Sequence, residues 1–298
     1  MSNRTAQKMF NRTADEHQKA LVSLIKAFGY RHTLDEVFAD FVELSALAVS
    51  NAVDKHHFQA REERYLAIVK KYDPADFKRF PQMLGALTAC FEDRVQRLVP
   101  GGEGLADVLG QTYMMLELGS SRAGQFFTPY SVSRMMALMN VGDGSPHIQR
   151  EGYVTVHEPA CGAGGMVIAC ADAFNDAGHN YQDVMHATCV DIDPRCVHMT
   201  YLQLALLHIP AIVIHGNALS NESWSHWFTP AHILGGWGPR LRRRSREEAV
   251  PEHAEPTATV GADTVVQGVA PVIVLPSGGT DPEPRPRICV REDQLALF

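Results

Sequence analysis

The stretch that most constrains this chain is Tyr153-Val154-Thr155-Val156, then His157-Glu158-Pro159-Ala160-Cys161-Gly162-Ala163-Gly164-Gly165, then Met166-Val167-Ile168-Ala169. A short apolar run, a glycine-rich turn and a second apolar run predict strand, tight turn and helix. Glycine is needed where the backbone turns through positive φ or lets another group approach closely, and the first N–H groups of the helix beyond have no partners within it. The unit repeats. Segments 154–157, 187–191 and 211–215 read as strands, with helices over 165–175 and 194–208 between them, the second capped by Asp193 and started by Pro194. Strand and helix in alternation predict parallel strands in a doubly wound, Rossmann-like α/β core.

The flanks differ from this core. From about Ala14 to Gly119 the pattern is helical. Thr33 with Glu36 makes a capping box ahead of Leu34, Val37, Phe38, Phe41, Leu44 and Ala48, and Asp73-Pro74 with Asp76 marks another helix start. Charges of mixed sign here favour packing over direct nucleic-acid contact. After Trp237 come Arg240, Arg242, Arg243, Arg244 and Arg246, and then a proline-rich, acidic segment with no aromatic residue before Phe298. Such a composition predicts a largely disordered tail, apart from the apolar run 269–275, which can form a strand. The expected division is a helical domain over 1–119, an α/β domain over 120–237 and a tail over 238–298.

Composition narrows the function classes. With 298 residues, 45% of them hydrophobic, there is enough material for one large or two modest domains. A net charge of -7 excludes a broadly basic surface, so a nucleic-acid contact would need a local patch. The six cysteines form no C-x-x-C pair and mostly sit in apolar segments, as expected of reduced, buried thiols in a cytoplasmic protein without a metal site. Met1 to Arg12 lacks the apolar core of a signal peptide, and no apolar run is long enough to cross a bilayer.

Three motifs surround the glycine turn. Gln125-Phe126-Phe127-Thr128-Pro129 precedes it, Val190-Asp191-Ile192-Asp193-Pro194 follows, and His215-Gly216-Asn217-Ala218 comes after that. Asp191 ends the second predicted strand, where a carboxylate can accept hydrogen bonds from a pair of ribose hydroxyls. Its interval from Glu158 exceeds the roughly 20 residues of a dinucleotide fingerprint, which argues against a nicotinamide cofactor.

Together these motifs resemble the cofactor half of the N6-adenine DNA methyltransferases, especially the methylation subunits of type I restriction-modification systems. The resemblance implies a core, whole or truncated, that binds S-adenosylmethionine (SAM) and methylates DNA. It implies that Thr128 and Pro129, the start of a helix capped by Thr128, lie against the methionine end of SAM. Glu158, Pro159, Ala160, Cys161, Gly162 and Gly164 would hold its amino-acid portion, a carboxylate there pairing with the ammonium. Asp191 would take the ribose, Ile192 would pack on the adenine, and Asn217, where the family commonly has Asp, would accept from the adenine amino group beside Ala218.

The family's Asn/Asp-Pro-Pro-aromatic motif, which orients the flipped target base, has no counterpart, because the chain contains no Pro-Pro pair. The nearest segments are Phe228-Thr229-Pro230-Ala231-His232 and Leu275-Pro276-Ser277-Gly278, with His226 and His232 as side chains able to touch a base or phosphate. The catalytic residues therefore stay open. So do two alternatives: a non-catalytic SAM- or DNA-binding module that serves a methylase or specificity subunit, and a methyltransferase acting on RNA or protein. Three strands, where the family has about seven, leave the edge of the first to be covered by 269–275 or by a partner. Finally, Gln294-Leu295-Ala296-Leu297-Phe298 resembles the short motif that docks on the replication sliding clamp, which implies binding through Gln294, Leu295, Leu297 and Phe298.

Overall fold

The computed structural model describes residues 14–28, 31–99, 104–118, 127–142, 144–249 and 295–296. Its centre is one sheet. Strands β1 (Val154–Glu158), β2 (Met185–Asp191) and β3 (Ala211–Asn217) run parallel and pair in register, Glu158 beside Cys189 and Asp191 beside His215. Between them run α9 (Gly165–Asp176), the short α10 (Tyr181–Val184) and α11 (Pro194–Leu206), so the predicted alternation is present. Asp193 caps α11 through its carboxylate, which accepts from the Arg195 N–H at 2.8 Å. The chain is thus an α/β protein with a parallel core and a helical N-terminal region.

Helices α1 (Glu16–Lys26), α2 (Leu34–Val53), α3 (Phe58–Val69), α4 (Pro74–Phe77), α5 (Arg79–Gln96) and α6 (Val108–Met115) precede the sheet. The two predicted helix starts are there: the Thr33 hydroxyl accepts from the Glu36 N–H, and the Asp73 carboxylate from those of Ala75 and Asp76. Val37, Phe38, Phe41, Val42, Leu44 and Leu47 of α2 are buried, and this helix packs along α11. One hydrophobic core therefore runs from the N-terminal helices into the sheet without a break. Next come α7 (Tyr130–Val141) and α8 (Ser145–Glu151).

The structure departs from expectation in four places. Thr128 does not cap α7. Pro129 holds the cap position and no side chain caps the helix, so the Thr-Pro pair acts through the fixed backbone of proline alone. A fourth strand, β4 (Glu222–Phe228), pairs antiparallel with β3. Its two serines, histidine and glutamate hide it from an apolar-run search, while Asn221 at φ 56° makes the reversal. The arginine cluster that opens the expected tail is helical: after α12 (Pro230–Leu234), α13 covers Trp237–Ala249. Trp237 wedges edge-on against Tyr153, Arg240 lies over both rings, and Arg244 pairs with Glu151. Lastly, the edge of β1 is covered by the chain itself, β5 (Leu295–Ala296) pairing parallel with Val156 and His157. The run 269–275 lies outside the described residues, and the sheet order is β4-β3-β2-β1-β5.

Candidate cofactor site

Glu158, Asp191 and Asn217 are the last residues of β1, β2 and β3, so parallel pairing alone brings the three polar side chains to one end of the sheet. The glycine turn is tied across that end. The Cys161 N–H donates to the Val190 carbonyl at 2.9 Å, and the Gly162 N–H donates to Asp191 Oδ2 at 2.8 Å. Asp191 Oδ1 accepts from the Asp193 N–H at 2.9 Å, which fixes both carboxylate oxygens and leaves each with further lone pairs.

Two glycines in the turn are required by geometry. Gly162 has φ 54°, and a Cβ there would sit 3.0 Å from the Phe127 ring; Gly164 has φ 89° and closes on Thr200. Phe127 therefore lies over the turn, and the exposed Thr128 and Pro129 follow it in the chain. Pro159 and Ala160 form the outer portion of the turn. The Cys161 thiol is buried and pushed well above its ordinary range by that burial, so it does not act as a thiolate nucleophile.

Glu158 is the most telling residue. It is 1% exposed, its Oε1 accepts from the Ala160 N–H at 3.2 Å, and its Oε2 is buried with no hydrogen-bond partner. Burial, with the charge of Asp191 adding to it, pushes this carboxyl up to about 8. A buried carboxylate oxygen without a donor is costly unless a cation or donor completes it. Burial likewise raises Asp191, opposed by its backbone N–H donors.

On the β2–β3 side, Ile192 is 60% exposed and offers an open apolar surface. Asn217 behaves differently from a free acceptor, because its Oδ1 takes the Leu219 N–H at 3.0 Å and shapes the β3–β4 turn. Ala218 packs with Ile212 against Val190 and Ile214.

Several supporting residues escape sequence reading. Gln203 on α11 donates to the Ala163 carbonyl at 2.7 Å and to Asp107 Oδ1 at 2.8 Å, and accepts from the Leu109 N–H. Asp107 in turn caps α6 through the Gly110 N–H. Asp172 accepts from the Leu105 N–H and the Tyr130 hydroxyl and pairs with Arg134. Only contact across the sequence reveals these, since each lies more than 40 residues from a partner.

The segment 228–232 lies at the opposite end of the sheet from Glu158, Asp191 and Asn217. Because β4 runs back along β3, Thr229 stands at the start of β3, where its hydroxyl donates to the Ile209 carbonyl and accepts from the Ala211 N–H, both at 2.9 Å. His232 is buried there, its Nδ1 2.8 Å from His186 Nε2. His226 sits in β4, its carbonyl accepting from Arg61. Segment 275–278 and Gln294, Leu297 and Phe298 lie outside the described residues. Among the described residues no cluster of His, Cys, Asp or Glu could hold a metal ion, and no helix is long and apolar enough to cross a membrane.

Residues 105–234 match the family model for N-6 DNA methylases. The match opens at Leu105, held by Asp172, and closes at Leu234, the end of α12, so β4 lies within the matched residues. Among solved structures, the chain is similar to a protein from Listeria monocytogenes described as a putative class I SAM-dependent methyltransferase, at 15% identity and TM-score 0.35, covering 70% of this chain and 55% of that one. It is also similar to a chain of the DrdV–DNA complex solved by cryo-EM, at 15% identity and TM-score 0.35, covering 80% of this chain and 26% of that one. The chain thus spans about half of the first and a quarter of the second. A search of curated proteins finds no significant match.

Proposed function

We propose that residues 105–234 bind SAM across the ends of β1, β2 and β3 and serve methyl transfer to adenine N6 in DNA. The observation that carries this reading is the unpartnered Glu158 Oε2, a buried acceptor waiting for a cation at the position where the family resemblance puts the methionine ammonium. SAM, when bound, supplies an electrophilic methyl group. The chain's own residues bind and orient. Glu158 accepts from the ammonium, and the remaining lone pairs of Asp191 accept from the ribose hydroxyls. Phe127 over Gly162 keeps water from the turn, and Ile192 gives the adenine an apolar face. Thr128, Pro129, Pro159, Ala160, Cys161, Gly164, Asn217 and Ala218 complete the lining. The helical region over residues 1–119 acts as a scaffold against α11, with 120–237 as the cofactor domain and 238–298 as a separate functional region.

The test is calorimetric titration with SAM and with its demethylated product. Binding that weakens in Asp191→Ala supports the proposal, and the absence of heat with either compound removes it. A second reading has its own support, since Thr229-Pro230 is committed to the start of β3. On that reading the chain presents SAM or DNA to a methylase or specificity subunit that supplies the base-holding loop. Digestion and mass analysis of DNA from cells expressing the chain alone separates the two: N6-methyladenine supports the first, and its absence despite bound SAM supports the second.

The motif of Gln294, Leu295, Leu297 and Phe298 is proposed to dock on the sliding clamp. Docking then requires Leu295 to leave its pairing with Val156, so clamp binding and closure of the β1 edge exclude each other. Pull-down with purified clamp, comparing the parent with Leu297→Ala/Phe298→Ala, decides this: equal capture of both proteins removes the proposal.

A further inference from the structure

A second cleft lies where α2 and α3 meet the outer edge of β4. It has a volume of about 350 Å³ and is walled by Glu43, Arg61, Arg64, His57, Trp224 and Trp227. The size suits a small planar ligand. Its back wall is rigid: Arg61 is buried, donates to Ser50, Asp54 and the His226 carbonyl, and lies 4.2 Å over the Trp227 ring. Because Arg61 occupies an outward carbonyl of β4, the edge is blunted against addition of a peptide strand. At the mouth, Trp224 is 48% exposed. In the same cleft, Glu43 accepts from Arg64 Nε at 2.5 Å and Nη2 at 2.8 Å, a fixed donor–acceptor pair with Arg64 reaching solvent.

We infer that this cleft binds an unstacked nucleobase, which stacks on Trp224 while its polar edge meets the Glu43–Arg64 pair. Every base has a π-face, and an exposed aromatic ring in a cleft that also holds guanidinium groups is one way in which proteins hold single strands. The cleft is separate from the cofactor turn yet adjoins it. Trp224 packs edge-on against His215 at 4.8 Å, and His215 Nε2 lies 3.2 Å from the Ile192 carbonyl. Glu158, on β1, is two strands away from β3. A base seated here is therefore one flanking the methyl acceptor, not the acceptor itself. That last clause rests on the proposed cofactor position, whereas base binding does not.

The experiment measures fluorescence anisotropy of a labelled single-stranded DNA dodecamer titrated with the full chain, with demethylated-SAM calorimetry run on the same samples. Trp224→Ala is expected to weaken oligonucleotide binding at least about fivefold, as expected for loss of one base–aromatic stack, with cofactor heat unchanged. Trp224→Phe, which keeps a stacking ring, should stay within about twofold of the parent. Competition by deoxymononucleotides in a Trp224-dependent manner identifies free nucleotides as a source of the base. Competition by unlabelled oligonucleotide alone identifies the strand. The inference is overturned if Trp224→Ala binds as tightly as the parent, if the parent binds no single strand, or if the matching duplex binds more tightly. Because cofactor heat is read separately, its loss would count against the SAM reading and leave this result standing.

Discussion

The two ends of the same sheet treat their ionisable groups differently. At the start of β3, the Thr229 hydroxyl bridges Ile209 and Ala211, and His186 and His232 face one another behind the buried Trp237. These partners lie within the chain. At the other end, Glu158 keeps an orphaned oxygen, the turn holds two glycines at positive φ, and Ile192 stands 60% exposed. Each end has a buried polar atom without a partner, the Tyr153 hydroxyl at the first and Glu158 Oε2 at the second. An ionisable carboxyl is the costlier to orphan, and only Glu158 stands beside a glycine turn and an exposed apolar side chain, which supports the second end as the proposed ligand site. The carboxyl ends of parallel strands are where α/β sheets place such sites.

If this contrast is right, damage at the closed end should cost stability and spare binding, and damage at the open end should do the reverse. The largest effect is expected for Trp237→Ala, which removes an almost fully buried ring and should lower unfolding free energy by about 3–5 kcal/mol in urea titration. SAM affinity of the folded fraction should hold, and a parallel loss of affinity would break the contrast. Asp191→Ala should weaken SAM binding by about 1.5–3 kcal/mol, the range for hydrogen bonds to a charged group. Unchanged affinity would remove Asp191 from the site. Thr229→Val leaves the Ile209 carbonyl and the Ala211 N–H without their partner and should cost about 1–3 kcal/mol of stability with no change in affinity.

The smallest effect is a pH slope. Burial lowers His232 to about 4 and His186 well below its ordinary value, so the folded state resists protonation at both. Their stabilising contribution is full above the ordinary histidine range near 6.5 and is lost as pH falls from there through about 4. Denaturant unfolding between these limits should show a slope that His232→Phe reduces.

The open end was more legible in sequence than the closed one, for a physical reason. Glu158, Gly162 and Asp191 are announced locally, by apolar strands that stop at a glycine turn or an acid. Thr229 and His232 carry no such local signal. Their roles follow from the reversal of β4, a strand whose polar and aromatic residues give no apolar run, and Thr229-Pro230 resembles any helix start. Asn217 was legible in place, at the end of β3, but its hydrogen bond to the Leu219 N–H was not, because that bond belongs to the turn that leads into β4. Gln203 was hidden inside the apolar string Gln203-Leu204-Ala205-Leu206-Leu207, and only the fold shows it bridging Asp107 and Ala163. Edge pairing by Leu295 was also out of reach, since two residues carry no periodicity.

The central claim is that Glu158 meets the ammonium of SAM, and proton linkage tests it directly. Without ligand, burial pushes this carboxyl up to about 8, so it is largely protonated at a pH of about 6.5. A bound cation favours the charged form, so binding should expel a proton, up to about one per site. Calorimetry of SAM binding at that pH in buffers of different ionisation enthalpy should therefore give apparent heats that vary with the buffer. In Glu158→Gln this dependence should vanish and affinity should fall. Heats independent of buffer in the parent, with equal affinity in Glu158→Gln, would contradict the account.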